Sequence, residues 1–343
     1  MTTLMKIKDL WQALESEGLE ELGTSGWILR LTRPHPNCPL FIAIERPSGR
    51  RAIFLQLPST SIPPRKNWPH CRGLETIAHR IGKEIHFGVT LKDQRFTDVF
   101  SALAEDLARR VDTEIGDSDQ LAKVFIGQLG RWQKFLASSQ DGLTTDEQLG
   151  LWGELHFLRA HLIPYWGPNA ALGWKGGEKA HQDFQFENGA VEVKTTRAKS
   201  LQLIRISSER QLDHSGWDAL FLHIISLEVR DDGGETLPDL IASLRTTVFN
   251  DAVVSEALED GLLGYGYLDT HVGKYLERSY ILRSETTYQV KQGFPCLVEK
   301  SLPAGVGEVS YGISVGSLDQ FIIDNAIAIA GLRNIKQKPE PNY

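Results

Sequence analysis

The sequence predicts an α+β protein of two or three domains, on three observations. Its 343 residues exceed what one ordinary domain of roughly 100–200 residues needs. Apolar residues make up 41% and charged residues 24%, which suits a packed core and excludes a disordered or collagen-like chain. Amphipathic helical stretches and short alternating strand patterns also interchange along the chain. No run approaches the ~20 apolar residues of a membrane span, and the best candidates, Ala219–Leu227 and Phe321–Leu332, are too short. Met1–Leu10 carries Lys6, Lys8 and Asp9 and lacks the apolar centre of a signal peptide. Cys38, Cys71 and Cys296 are far apart and odd in number, which fits reduced thiols better than a disulfide framework. A cytoplasmic location is the expectation, with no membrane partner.

Taken in order, residues 4–22 read as an amphipathic helix with Leu10, Trp11, Leu14 and Leu19 on its buried stripe. Trp27–Leu31 and Phe41–Glu45 alternate as strands, and Pro47–Gly49 supplies a turn before Ala52–Leu57. The Pro- and Ser-rich residues 58–72 read as a loop, 85–91 as a strand and Thr97–Val111 as a helix. Together these define an N-terminal α+β domain over 1–112. Asp119–Ala137 repeats Leu121, Val124, Phe125, Gln128, Leu129, Trp132 and Leu136 at helical spacing. It reads as a bridging helix within 113–142, leading to a second domain over 143–343.

Residues 143–227 read helix, strand, strand, helix, strand. Thr144 and Glu147 form a capping-box signature, and Leu151, Leu155, Leu158 and Leu162 make one apolar stripe. Pro164, which has no N–H to donate, is expected to end that helix. Gly150 and Gly153 each cost about 1 kcal/mol in a helix, and suggest that another backbone approaches there. Glu154 lies beside the stripe; on the helix alone it reads better as a solvated charge than as a site residue. His181–Phe186 and Ala190–Thr195 then flank Asn188-Gly189, a two-residue hairpin signal. With those two residues as the loop, Asp183 faces Lys194 and Gln185 faces Glu192. Alternation then puts Phe184, Phe186, Val191 and Val193 on one face. Asp183, Gln185, Glu192 and Lys194 share the other.

Two neighbouring carboxylates repel and resist ionisation unless a cation sits between them. Mg²⁺ suits that place because it takes oxygen ligands, and the Val193 carbonyl could add one. Lys194 would lie beside the metal, able to orient a water or hold a phosphate oxygen. The alternative is an ordinary Glu–Lys–Asp surface pairing, worth little.

The arrangement Glu154 … Asp183 … Glu192-Val193-Lys194 resembles the PD-(D/E)XK nuclease superfamily. The blocks "GLWGELHFLRAHL", "HQDFQFENGAVEVKTT" and "LIRISSERQL" resemble the bacterial group known as PD-(D/E)XK motif proteins. The later "GFPCLVEKSLPAGVGEVSYGISV" resembles its C-terminal part. Gln182 departs from the pattern, standing where the motif has proline. The resemblance implies a restriction-endonuclease-like core over 143–343, a central mixed β-sheet flanked by helices. It implies Asp183, Glu192 and Lys194 as catalytic residues and Glu154 as the helix acid, with Asp183, Glu192 and Glu154 on the metal. It further implies a Mg²⁺-dependent DNA endonuclease, with Mn²⁺ as a substitute, in a bacterial restriction or phage-defence setting. A homodimer, or an ATPase or methyltransferase partner, would fit that setting. The alternative is a DNA-binding or assembly subunit whose cutting is absent or partner-dependent.

Charge is uneven along the chain. Residues 24–95 hold twelve Lys+Arg and four Asp+Glu, 12 − 4 = +8, so the remainder carries −7 − 8 = −15. A basic first third points to a polyanion, or is a chance surface asymmetry. Arg50, Arg51, Arg65 and Lys66, on turns and loops, are its candidate phosphate contacts. Arg197, Lys199, Arg205 and Arg210 follow the hairpin, and Ile206–Leu212 could open a helix toward phosphate. Gln211 resembles a glutamine that some relatives place beside the lysine. Three patterns carry no chemistry. Gly312–Gly316 matches G-x-S-x-G, but every histidine precedes Ser314, against that fold's order. There is no G-x-x-x-x-G-K-[ST] loop, so ATP use would need a partner. Cys38, Cys71, His70 and His79 lack zinc-ligand spacing.

Overall fold

The structure, a computed structural model, describes residues 7–17, 26–33, 39–71, 73–81, 84–113, 116–138, 142–177, 180–199 and 202–332. Leu19 and Cys38 lie outside them. The chain divides into two compact units, Met1–Asp141 with Leu268–Thr270, and Gly142–Tyr267 with His271–Tyr343.

In the first unit, helix α1 (Ile7–Glu17) precedes five strands: β1 (Gly26–Arg33), β2 (Leu40–Arg46), β3 (Arg51–Leu57), β4 (Leu74–Ile81) and β5 (Glu84–Leu91). They form an antiparallel sheet in the order β1-β2-β3-β5-β4. The strand β4 is absent from the sequence expectations. Glu75, His79 and Arg80 break its apolar alternation because it is an edge strand, where charged side chains discourage pairing with another chain. Helices α2 (Thr97–Thr113) and α3 (Ser118–Ser138) complete the unit. Trp11 of α1 stacks on Phe100 of α2 with ring centroids 5.3 Å apart. The helix expected as a bridge is α3; it belongs to this unit, where Trp132 Nε1 donates to buried Asp106 of α2 at 2.8 Å.

The second unit opens on α4 (Thr145–Phe157), whose capping box forms as expected: Thr144 Oγ1 accepts from Glu147 N–H, and the Glu147 carboxylate accepts from Thr144 N–H. Pro164 does not end the helix. Leu158–Leu162 widens into a π turn, where Ile163 N–H reaches Leu158 O, and a last α turn runs Ile163–Trp166. Gly167, at φ 67°, ends it. Next come β6 (Phe184–Gln185), β7 (Gly189–Thr196), β8 (Leu203–Ile206), β9 (Ala219–Arg230) and β10 (Glu235–Thr236). Helices α5 (Leu237–Val248) and α6 (Ala252–Tyr265) lead to β11 (Ser279–Val290), β12 (Tyr311–Ser314), β13 (Ile322–Ile323) and α7 (Asn325–Leu332).

The main sheet runs β10-β11-β9-β7-β6, with β13 on β11; the β7–β9 pair is parallel and the others antiparallel. Strand β9 is central, and Leu220–Leu227 is buried throughout, as a continuous apolar strand requires. Its Phe221, Ile225 and Leu227 pack with Leu151 and Leu155 of α4 and Leu240 of α5. On the other face, Leu220, Leu222 and Ile224 meet Ile204, Ile206 and Ile313 of the β8–β12 ribbon. The helix expected over Ile206–Leu212 is therefore replaced. Ile204 and Ile206 alternate into this core as a strand, and only a single 3₁₀ turn, Glu209–Leu212, follows. Ser314 of the G-x-S-x-G match is the last residue of β12, paired with Leu203.

Candidate active site

The hairpin folds with a register two residues from the expected one. Phe184 pairs with Val191 and Gln185 with Ala190, and Phe186 N–H donates to Gly189 O, so Glu187-Asn188 makes the turn. Gly189 is used differently. It pairs with Ala219 of β9, where a Cβ would lie 2.6 Å from the Ala219 carbonyl oxygen. A shift of two leaves every side chain on its expected face. Phe184, Phe186, Val191 and Val193 enter the helix-side core, and Glu192 and Lys194 alternate away from it.

Four charged groups meet beside the hairpin. Lys194 Nζ lies 2.6 Å from Glu192 Oε1 and donates to Gln211 Oε1 at 3.2 Å. Gln211 Oε1 also accepts from Ser207 N–H at 2.8 Å, which fixes the amide against the lysine. Asp183 Oδ2 accepts from Val193 N–H at 2.7 Å. Glu154 comes in from α4; its Oε2 accepts from Trp174 Nε1 at 2.9 Å, and it also hydrogen-bonds Tyr265 of α6. At 6% exposure it is no solvated helix charge. The two helix glycines make room for side chains, not for the backbone expected there. A Cβ on Gly153 would meet Thr195 Oγ1 at 1.9 Å, and one on Gly150 would meet the Tyr265 hydroxyl at 2.8 Å.

The electrostatics follow from burial. Glu154 is held well above the usual carboxylate range by burial, then by Asp183 and Glu192, against the Trp174 and Tyr265 hydrogen bonds. Glu192 is pushed up to about 8 by burial and by Asp183, with Lys194 pulling the other way. Burial lifts Asp183 to about 6, opposed by Lys194 and the Val193 N–H. Burial alone would lower the Lys194 ammonium, but Glu192 and Asp183 outweigh it and raise it. Burial, Glu154 and Asp183 keep the Tyr265 phenol protonated. Glu192 Oε2 is buried with no hydrogen-bond partner among the described residues. Fully ionised, three carboxylates and one ammonium leave a net charge of −2, which a divalent cation would offset. These residues fit such an ion. A cavity of about 340 Å³ opens beside them, lined by Glu154, Asp183, Gln182, Tyr265, Lys175 and Glu147.

Gln182 explains itself at the position where the motif has proline. It is 4% exposed; its Nε2 donates to Arg210 O at 2.8 Å, and its Oε1 accepts from Gln185 at 3.1 Å. It thereby ties the segment carrying Asp183 to the turn carrying Gln211. Trp174, Tyr265 and Gln182 are site residues that the sequence reading missed. No local pattern marks them, since they reach the site from a loop, α6 and a bend.

The basic residues are dispersed. Arg197 pairs with Asp146 at 3.2 Å on the surface, Arg205 donates to Ser310, Arg210 meets Glu299 at 3.0 Å, and Lys199 is exposed. In the first unit, Arg50 binds Glu45 and Arg51 forms a bidentate pair with Glu15 at 2.7 and 3.1 Å over the Trp11 ring. Arg65 lies over the Trp68 ring, and Lys66 is exposed beside it.

A family model described as "Putative PD-(D/E)XK family member, (DUF4420)" matches residues 7–316. The chain belongs to that family, and its second unit has the mixed sheet and flanking helices of a restriction-endonuclease-like core. No curated protein and no solved structure matches the chain. No helix among the described residues is long and apolar enough to cross a membrane.

Proposed function

We propose that the chain is a Mg²⁺-dependent DNA endonuclease. One observation carries the reading: Lys194, Glu192 and Asp183 converge with Glu154 as a buried or half-buried set of three carboxylates around one ammonium, a charge excess that suits a divalent cation. Asp183, Glu192 and Glu154 would hold the ion, and when bound it supplies charge stabilisation for the scissile phosphate and a more acidic water. The chain's own residues do the rest. Glu192 and Gln211 occupy two of the three Lys194 donors, leaving the third, unpartnered among the described residues, for a water or phosphate oxygen. Trp174 and Tyr265 hold the Glu154 carboxylate in one orientation. The resemblance of the motif blocks to a bacterial group supports a restriction or phage-defence setting. Incubation with supercoiled plasmid tests the reading: nicking or linearisation in Mg²⁺ or Mn²⁺, abolished by EDTA, is expected, and intact plasmid in all three refutes it.

The partner-dependent reading keeps one observation in its favour. Glu147, Glu154 and Asp183 line the cavity against a single lysine, Lys175, which is a poor surface for a phosphate backbone. In that case cleavage appears only when a DNA-holding partner is added.

Metal binding should be strongly pH-dependent. With Asp183 at about 6 and Glu192 at about 8, the metal-free carboxylates bind protons at neutral pH, and an incoming ion must displace them. The apparent affinity for Mg²⁺ should therefore rise from pH 6 to pH 8 and level off above. Calorimetry in buffers of different ionisation enthalpy should find a net release of protons on metal binding at pH 7. Affinity unchanged over that range would mean that these carboxylates are not the ligands.

The contribution of the first unit to DNA binding now narrows to Arg65 and Lys66, since Arg50 and Arg51 are engaged in ion pairs within the unit. Replacing Arg65 and Lys66 with Gln should flatten the dependence of log K on log salt by up to about 2, at about 0.9 per phosphate contact. An unchanged slope would remove Arg65 and Lys66 from the DNA contact.

A further inference from the structure

On the far flank of α4 from Glu154, four groups converge that no part of the nuclease site uses. Positions two apart on a helix point to nearly opposite sides, so His156 faces away from Glu154. His156 Nε2 lies 3.3 Å from Glu285 Oε2, His161 Nε2 lies 2.9 Å from Glu285 Oε1, and His223 Nε2 lies 3.5 Å from Glu285 Oε2. The prospective ligand atoms of His156, His161 and Glu285 all fall within 4.8 Å of one another.

Two local irregularities build this cluster. In a regular α-helix, residues five apart are turned by about 140°. The π turn at Leu158–Leu162 closes over five residues instead, bringing the His156 and His161 rings to 6.1 Å. On β11, the register slips between Leu282 and Ser284. Before the slip Leu282 pairs with Leu227; after it Glu285 pairs with Ile225 and Thr287 with His223. The bulge thus turns Glu285 and Thr287 toward the helix-side face that Phe221 and Ile225 occupy. π turns and bulges are costly departures from regular structure, found disproportionately at functional sites.

The hydrogen bonds behind the cluster leave a bare nitrogen in it. Thr287 Oγ1 donates to Asn325 Oδ1, so it accepts from His223 Nδ1, 2.7 Å away. With the His223 proton placed on Nδ1 by Thr287, a neutral ring turns its Nε2 lone pair toward the Glu285 carboxylate. Turning the Asn325 amide over reverses the chain, because Asn325 also meets His161 Nδ1 at 3.4 Å. The bare Nε2 then belongs to His161. In either direction, a set of neutral rings leaves one imidazole lone pair turned toward the carboxylate. His156 Nδ1, His161 Nε2 and His223 Nε2 are all buried and make no well-aligned hydrogen bond among the described residues, although the last two face the Glu285 carboxylate.

We propose that His156, His161 and Glu285 form a second metal site, separate from the nuclease centre, that takes one divalent first-row transition ion, with zinc the best match. Two imidazole nitrogens and one carboxylate oxygen form a set that zinc takes, and three protein ligands leave a fourth position for water or for His223. Asn325, accepting from His161 Nδ1–H in the reversed hydrogen-bond chain, would orient that ligand. Partial side-chain exposure of 14% at His161 and 21% at Glu285 gives an ion a way in. The ligands come from α4, the π turn and β11, so the ion would clamp that helix to the sheet.

The test uses the full chain, stripped with EDTA and titrated with Zn²⁺ against a chromophoric chelator, with elemental analysis for stoichiometry. One zinc per chain is expected in the wild type and in Asp183→Ala. At least a tenfold loss of affinity is expected in Glu285→Gln and in His161→Gln. Zinc should raise the melting temperature of the wild type and of Asp183→Ala but not of Glu285→Gln. Co²⁺ bound to the wild type should show the visible absorption of a low-coordinate nitrogen and oxygen site, which decides the matter even if a variant misfolds. The proposal is overturned if the wild type binds zinc no more tightly than Glu285→Gln, if Asp183→Ala loses the ion instead, or if Co²⁺ gives only the spectrum of the aqueous ion. The cluster would then be a metal-free histidine–carboxylate network.

Discussion

Alanine at Asp183, Glu192 or Lys194 is expected to reduce Mg²⁺-dependent DNA cleavage by roughly a thousandfold or more, the scale of several kcal/mol of lost charge stabilisation. The three losses should differ in kind. Glu192 pairs with Lys194 and Asp183 acts on it electrostatically, and removing either acid takes away a prospective ligand, so metal affinity and rate should fall together. Lys194→Ala removes the cation that opposes the upward shift of both acids. It should leave a tighter need for the metal ion but very little rate. None of the three side chains belongs to the apolar clusters on the two faces of the sheet, so the apolar packing that holds the fold is left in place. Single-turnover cleavage with a circular-dichroism control on each variant checks this. Near wild-type rates for Asp183→Ala would remove the site from the chemistry.

Glu154→Gln should act in opposite directions on stability and on function. In the folded, metal-free protein Glu154 is held well above its ordinary range by burial and by Asp183 and Glu192. An acid whose folded-state pKa is raised favours folding least when it must ionise, so stability falls as pH climbs above about 4.5, its ordinary value. Glutamine keeps an oxygen for Trp174 and Tyr265 and carries no charge to bury. In EDTA the variant should therefore melt higher than the wild type at pH 8. The difference should shrink toward pH 5, each kcal/mol being worth roughly 2–4 °C in a domain of this size. In Mg²⁺ the same variant should need more metal and cut more slowly. A variant that melts lower than wild type at pH 8 in EDTA would return Glu154 to a purely structural role.

What the sequence discloses about this site depends on distance along the chain. The two faces of the hairpin follow from a period of two, and they survive a register error of two residues. The register itself is obscured because Asn188-Gly189 resembles a turn, whereas Gly189 is needed for the close parallel approach of β9. The capping box at Thr144 is local and forms as read. Trp174, Tyr265 and Gln182 are not local to the residues they hold, so no pattern betrays them. The histidines at 156, 161 and 223 match neither helical nor strand spacing. Only the π turn of α4 and the bulge in β11 bring them to Glu285, and neither feature leaves a mark in hydrophobic periodicity. The edge strand β4 is hidden for the opposite reason, its charges imitating a loop.

If Asp183, Glu192 and Lys194 form a metal-dependent nuclease centre, loss of the lysine and loss of the ion should each silence the protein. Parallel incubation of wild type and Lys194→Ala with supercoiled plasmid, each in Mg²⁺ and in EDTA, separates these outcomes. Cleavage by the wild type in Mg²⁺ alone, and by Lys194→Ala in neither, is the expected result; equal cleavage by both proteins, or cleavage that survives EDTA, would contradict it.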